Sequence, residues 1–160
     1  TETGGPSSAL TLLSEEESMF RDAVAAFAEE EVRPRVMEME KAGKIDPTLL
    51  PKYFELGLMG IEVPEEFGGA GGTLFMVTIA VEEISKVDAA AAIVCDVQNT
   101  LVNYPIVKYG SAAQKSKYLP RPHPENVGAY RLSDSGRGSA ALGVRMPGWG
   151  PILRWAATMS

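Results

Sequence analysis

The chain has 160 residues, 45% hydrophobic and 22% charged, which allows one buried core and part of a second domain but excludes a disordered chain. One cysteine excludes a disulfide framework, and one histidine leaves almost no ligands for zinc, so we expect no metal site. Residues 1–120 carry ten basic and nineteen acidic side chains, and this acidic balance argues against nucleic-acid binding. Residues 121–160 carry five basic and two acidic side chains, and the change in composition indicates a boundary near residue 120.

The amino-terminal third predicts one long helix after a flexible end at residues 1–9. Ser14 and Glu17 fit a capping box, and Phe20, Val24 and Phe27 then recur at helical spacing. Pro34 removes a backbone donor and should kink or break this helix. Gly43 is a suitable place for it to end.

A second, shorter helix follows. Asp46 and Pro47 read as an N-cap with proline at the first helical position. The helix should end near Gly57, and its apolar face would consist of Leu49, Leu50, Tyr53, Phe54 and Leu56. Residues 60–72 are too rich in glycine and proline for a helix and predict a loop.

Three more helices are predicted before a change of structure. Thr73 can cap one helix, and Asp88 can cap the next, which covers residues 89–103 and is apolar on nearly every side, as expected of a buried central helix. Its longest apolar run, residues 89–95, is far too short to cross a membrane. Ser111 and Gln114 form a second capping box, prolines follow from residue 120, and residues 127–132 read as a strand.

The chemistry-bearing residues have ordinary interpretations when they are taken singly. The pairs Glu65–Glu66 and Glu82–Glu83 are neighbours on one segment, which favours solvated carboxylates over an acid–base pair, and Cys95 lies in an apolar run typical of a buried, unreactive thiol. His123 reads as a surface histidine. Residues 136–141 match G-x-G-x-x-A, but no acidic residue follows Asp134, so a dinucleotide site is not favoured; a glycine-rich loop for another phosphate or a flavin stays open.

Several segments, in order and over about 125 residues, resemble the amino-terminal part of the acyl-CoA dehydrogenase family. The wording Met59-Gly60-Ile61-Glu62 and Gln98-Asn99-Thr100-Leu101 is most similar to its short/branched-chain group. The matching segments are residues 27–34, 57–64, 67–69, 80–88, 98–101, 109–111 and 114–120. The resemblance implies a mainly α fold: an up-down, bundle-like helical domain at residues 10–120, then the truncated start of the β middle domain at residues 121–141 and a divergent tail at residues 142–160.

Residues 130–139 resemble the flavin-binding segment of that family, and the resemblance therefore implies FAD as cofactor. It places Leu132 and Ser133 against the flavin ring and Ser139 against both the flavin and the acyl-CoA. The full set of expected cofactor residues is Tyr130, Leu132, Ser133, Gly136, Gly138 and Ser139. Asp134, Arg137 and Ala140 depart from the family pattern, which is not recognisable after about residue 142.

The implied activity is flavin-dependent α,β-dehydrogenation of short or branched acyl-CoA thioesters, in fatty-acid or branched-chain amino-acid catabolism. The catalytic glutamate of the family belongs to a carboxy-terminal domain without a counterpart here, so we expect no catalytic residue in this chain and no activity from it alone. The resemblance further implies electron-transfer flavoprotein as partner, a homotetramer at full length, and the mitochondrial matrix in a eukaryote or the cytoplasm in a bacterium.

Two alternatives stay open. The chain could be a non-catalytic helical interaction module derived from the same family, or its tail could be the product of a shifted reading frame or altered splicing. Val102, Asn103 and Ile106 could contact the acyl group, although ordinary core packing is the favoured interpretation of these three side chains.

Overall fold

The structure, a computed structural model, describes residues 12–119 and 127–128, and in these the chain is helical with no strand. The predicted α class is confirmed. The helices are α1 (Glu15–Phe27), α2 (Val36–Ala42), α3 (Leu49–Glu55), α4 (Leu74–Ser85), α5 (Ala89–Asp96), α6 (Tyr104–Tyr109) and α7 (Ala112–Tyr118). The predicted flexible end at residues 1–9, most of the predicted strand at residues 127–132 and the tail at residues 142–160 lie outside the described residues.

Both predicted capping boxes are present. At the start of α1, the Glu17 amide donates to Ser14 Oγ at 3.1 Å, and the Ser14 amide donates to Glu17 Oε2 at 2.8 Å. At α7 the same exchange joins Ser111 and Gln114. Each box supplies partners for amides that a helix start leaves without an intrahelical acceptor.

The other caps agree with the sequence at two places and differ at one. Thr73 caps α4, and the Asp88 carboxylate accepts the amides of Ala90 and Ala91 at the start of α5. The predicted start at Asp46–Pro47 is wrong by two residues, because α3 begins only at Leu49. Asp46 instead accepts the Thr48 amide at 2.9 Å and holds a tight turn that leads into the helix.

Pro34 interrupts the regular α-helix, as its missing amide requires, but the chain keeps a helical course. The turn widens over Ala28–Val32, where the Arg33 amide donates to the Ala28 carbonyl, and then tightens over Arg33–Arg35 before α2 begins. The Arg35 guanidinium donates to the Glu31 carbonyl and pairs with the Asp46 carboxylate at 3.2 Å. Gly43 ends α2 with φ of 62°, a left-handed conformation that favours glycine.

The core lies where α1, α3, α4 and α5 meet. Tyr53 of α3 packs edge-on against Phe27 of α1, with 5.1 Å between ring centroids, and its hydroxyl donates to the Ala91 carbonyl at 3.1 Å. The segment predicted as a buried central helix, residues 89–103, is buried at Ala91, Ala92, Cys95, Gln98, Asn99 and Asn103. It is also open to solvent at Ile93, which is 58% exposed. Leu56, predicted on the apolar face of α3, is 38% exposed.

The loop between α3 and α4 folds back on itself through backbone hydrogen bonds. The Ala70 amide donates to the Gly60 carbonyl at 2.9 Å, and the Gly72 amide donates to the Ile61 carbonyl at 2.7 Å. Gly69 lies so close to Val63 that a Cβ would be 2.0 Å from the Val63 carbonyl oxygen. This close approach explains why glycine occupies the position.

Candidate functional site

The residues predicted to bind FAD and acyl-CoA (Tyr130, Leu132, Ser133, Gly136, Gly138 and Ser139) lie outside the described residues, and their assignment stays a prediction. The described chain nevertheless reaches Gly128, two residues before that segment. Gly128 contacts an irregular helical segment, Val97–Asn103, that joins α5 to α6 in wide turns. We take these wide turns and the chain that contacts them as the candidate site.

Asn99 connects the wide turns to the loop that follows α3. Its side chain is completely buried, and its Oδ1 accepts the Ile61 amide at 2.9 Å. Its Nδ2 donates to the Leu58 carbonyl at 2.7 Å and to the Cys95 carbonyl at 2.8 Å. One buried amide therefore satisfies three backbone groups, two of them about 40 residues away in sequence.

Gln98 and Asn103 extend this network into what we call the amide relay, the chain of hydrogen bonds that runs from Gly128 through Gln98 and Asn103 to Met59. The Gly128 amide donates to Gln98 Oε1 at 2.8 Å, and Gln98 Nε2 donates to Asn103 Oδ1 at 3.0 Å. Asn103 Nδ2 completes the relay by donating to the Met59 carbonyl at 2.8 Å. Gln98 is 2% exposed and Asn103 is fully buried.

The wide turns explain how this relay forms. Gln98 and Asn103 are five residues apart, the spacing that one turn of a π-type helix brings together, whereas an α-helix aligns residues three or four apart. Single wide turns inside α-helices occur frequently at functional sites. The backbone irregularity here brings two buried amides together next to the chain that precedes the predicted flavin segment.

The three residues that could contact the acyl group, Val102, Asn103 and Ile106, differ in their burial and their contacts. Both ends of the Asn103 amide are used inside the relay, so the core-packing interpretation holds for this residue. Val102 and Ile106 are half-buried. The Val102 methyl groups lie against the Gly128 backbone: a Cβ on Gly128 would be 2.4 Å from Val102 Cγ1.

Cys95 is buried as the sequence predicts. Its thiol donates to the Leu58 carbonyl at 3.3 Å, and burial raises its pKa to about 12. Burial also raises the pKa of Tyr53, whose hydroxyl already donates to a carbonyl. Since a thiolate or phenolate would have to form inside the core, neither group is a nucleophile at neutral pH.

The glutamate pairs differ from one another. Glu82 is exposed, but Glu83 is buried and bonds to Lys86 at 2.7 Å, so the expectation of a solvated pair is wrong for Glu83. Glu62, which the sequence did not single out, has one carboxylate oxygen that is buried without a hydrogen-bond partner, and burial raises its pKa.

Two classes of site are missing from the part of the chain that the structure describes. Residues 12–119 and 127–128 contain no group of three or more Cys, His, Asp and Glu side chains arranged for a metal ion. Within the same residues, none of the helices has the length and apolar character needed to span a bilayer.

The sequence alone did not identify the amide relay. In the sequence, family resemblance marks Gln98 and Asn99 but gives them no structural role. The available signal was three amide side chains within six residues of an otherwise apolar helix, since buried amides require partners. Their partners could not be read from sequence, because they are carbonyls and amides some 30 to 44 residues away.

The comparison with protein-family models matches residues 14–122 to the amino-terminal domain of acyl-CoA dehydrogenases. The mitochondrial short/branched chain specific acyl-CoA dehydrogenase of Bos taurus is 39% identical over 145 residues, which cover 91% of this chain and 34% of the relative. A probable short/branched chain specific acyl-CoA dehydrogenase of Dictyostelium discoideum is 44% identical over 135 residues, covering 84% and 33%. The chain thus spans about a third of the length of these relatives.

Solved structures show the same similarity. Butyryl-CoA dehydrogenase from Megasphaera elsdenii superposes with a TM-score of 0.72 at 31% identity, over 79% of this chain and 34% of that one. A structure described as the electron transferring flavoprotein of Acidaminococcus fermentans, in work on flavin-based electron bifurcation, gives a TM-score of 0.73 at 38% identity, over 78% and 33%.

Proposed function

Because the chain belongs to the acyl-CoA dehydrogenase family, we propose that it is the helical amino-terminal part of an FAD-dependent enzyme that desaturates short or branched acyl-CoA thioesters between Cα and Cβ. The observation that carries this proposal is the match of residues 14–122 to the family's amino-terminal domain. The preference for short or branched acyl groups rests on the Bos taurus and Dictyostelium discoideum relatives.

In the proposed enzyme, the helical domain supplies a wall of the site and not the reacting groups. The buried nucleophile candidate, Cys95, is held protonated, and the buried carboxylate Glu83 is paired with Lys86. Residues 130–139 are our proposed contacts for FAD, which would supply the hydride acceptor for the reaction at Cβ. The base that removes the α-proton belongs, by family resemblance, to a later part of the polypeptide, so we propose that residues 1–160 alone are inactive.

Partners, assembly and location follow as further parts of the proposal. Electron-transfer flavoprotein as the electron acceptor is supported by the structural similarity to the Acidaminococcus fermentans chain. A mitochondrial matrix location in a eukaryote is supported by the mitochondrial relative from Bos taurus. A homotetramer at full length is proposed from the family resemblance.

The test compares two polypeptides, the 160-residue chain and the longest product that its gene encodes. Each is loaded with FAD and mixed under anaerobic conditions with an α-methyl-branched four-carbon acyl-CoA, a straight four-carbon acyl-CoA or a sixteen-carbon acyl-CoA. We expect bleaching of the visible flavin band only in the longer product, and most strongly with the two short substrates.

Bleaching by residues 1–160 alone would contradict the proposed division of the site. A gene that encodes no family-like continuation in any frame beyond Ser139 would favour the non-catalytic module instead.

A further inference from the structure

The side-chain amides of the wide turns divide into two groups according to their hydrogen-bond partners. Asn99 and Asn103 bind the loop after α3, through the Ile61 amide and through the carbonyls of Leu58 and Met59. Gln98 makes no hydrogen bond to that loop among the described residues. Its amide instead links Asn103 to the Gly128 amide, at 3.0 Å and 2.8 Å.

Gly128 is held by a second contact that does not depend on Gln98. Its Cα lies so close to Val102 that a Cβ would be 2.4 Å from Cγ1 and 2.8 Å from Cγ2 of that side chain. Only glycine permits such an approach without displacing Val102. A hydrogen bond on one side and a van der Waals contact on the other therefore define where the backbone of residue 128 lies on the wide turns.

We propose that Gln98 is a positioning residue, which fastens the chain at Gly128 to the wide turns two residues before the proposed flavin segment, residues 130–139. The inference rests on the proposed function, since those residues are the proposed contacts of flavin and acyl-CoA. Tyr130 follows Gly128 by two residues, a chain length of at most about 7 Å, so we expect a change at Gly128 to alter the affinity for FAD.

The chemistry of Gln98 suits this task better than that of an apolar residue. A buried amide must find both an acceptor and a donor, and it therefore specifies one arrangement of its neighbours. A methionine would fill similar space and bury well, but it cannot accept the Gly128 amide. The contribution of Gln98 is thus to the position of the chain more than to the stability of the helices.

The first measurement is amide hydrogen exchange, followed by NMR in the 160-residue chain and in Gln98→Met. We expect the Gly128 amide to exchange at least tenfold faster in the variant, while the Ile61 amide, held by Asn99, keeps its rate. Gln114→Met, a change of the other glutamine in the chain, is the matched control and should leave Gly128 unaffected. Gln98→Glu keeps the acceptor and should restore protection of Gly128 to within about threefold.

Unchanged exchange at Gly128 in Gln98→Met overturns the proposal. So does equal acceleration at Gly128 and Ile61 in both Gln98 variants, because Gln98 would then only stabilise the fold.

The second measurement is FAD binding, followed by flavin fluorescence and by the visible absorption band. We expect Gln98→Met to bind FAD at least tenfold more weakly than the parent, and the control to bind as the parent does. Equal affinity and spectra in parent and Gln98→Met, with Gly128 released, would overturn the positioning role. If the parent binds no FAD, residues 130–139 do not suffice to hold FAD in this chain, and the exchange rates still decide whether Gln98 anchors Gly128.

Discussion

Replacing Asn99 with leucine should be among the most damaging single changes in the helical domain. Leucine branches at Cγ as asparagine does but is larger, so the change removes the hydrogen bonds without leaving a cavity. The Ile61 amide loses its acceptor, and the Leu58 carbonyl keeps only the weak donor Cys95 Sγ at 3.3 Å. A buried backbone group without a partner costs about 1–3 kcal/mol, so we expect a loss of about 3–4 kcal/mol.

The assay is thermal and urea unfolding followed by circular dichroism. For a domain of this size the expected loss lowers the melting temperature by roughly 12–16 °C, at about 4 °C per kcal/mol. Thr100→Val is the matched control, because Thr100 Oγ1 donates to the carbonyl and the carboxylate of Asp96, one turn back, and not to the loop after α3. It should cost less than about 1 kcal/mol. Asn99→Leu behaving like Thr100→Val would refute the reasoning.

Asn99→Asp tests the direction in which the stability of the protein depends on pH. The carboxyl would lie against the carbonyls of Leu58 and Cys95, which accept hydrogen bonds and disfavour a negative charge. Its pKa should therefore lie above the unfolded value of about 3.9. Stability relative to the parent is then highest below about pH 4, where the carboxyl is protonated in both states, and falls as the pH rises towards the folded pKa. A variant that gains stability from pH 4 to pH 7 relative to the parent would contradict this assignment.

Three further predictions concern single side chains. Burial raises the pKa of Glu62, so ionisation of this carboxyl destabilises the folded state as the pH rises above the pKa of the unfolded chain. Glu62→Gln should therefore raise the melting temperature at pH 7 and change it little near pH 4. The Cys95 thiol, with a pKa of about 12, should react with an aromatic disulfide at pH 8 only as fast as the protein opens, and rapid labelling of folded protein would contradict its burial. Gly69→Ala would place its Cβ 2.0 Å from the Val63 carbonyl oxygen, and it should lower the free energy of unfolding more than Gly43→Ala does. Position 43 is open, so there only the left-handed φ of 62° costs roughly 1 kcal/mol. Equal losses in urea unfolding would refute the packing argument.

Helix starts were predictable because their chemistry is local. Ser14 with Glu17, and Ser111 with Gln114, satisfy each other within four residues, so the sequence contains both partners of each hydrogen bond. Asp88 is recognisable for the same reason. The start of α3 was misplaced because Asp46 can hold a tight turn as well as a helix, and the two choices differ only in how the next residues pack.

Contacts between distant segments were not predictable from sequence. In the sequence Glu83 reads as one of two solvated glutamates, whereas in the fold it is buried and paired with Lys86. The wide turns at Val97–Asn103 have no local signal comparable to a capping box. In the sequence, the candidate site is therefore marked only by family resemblance at residues 98–101 and 130–139. The hydrogen bonds of the amide relay are visible only in the structure.

The structure also changes what the family resemblance can be taken to support. Two of the segments that carry it, residues 57–64 and residues 98–101, are joined by Asn99, which accepts the Ile61 amide and donates to the Leu58 carbonyl. These hydrogen bonds hold the loop to the helical segment whatever reaction the protein performs. Their match is therefore evidence for the fold, and evidence for flavin chemistry has to come from residues 130–139. Gly128 is relevant to both arguments. Its amide donates to Gln98 in the packed helical segment, and it precedes the proposed flavin segment by two residues. Exchange at this amide, measured with and without FAD, would show whether the helical part of the chain and the proposed cofactor segment act together.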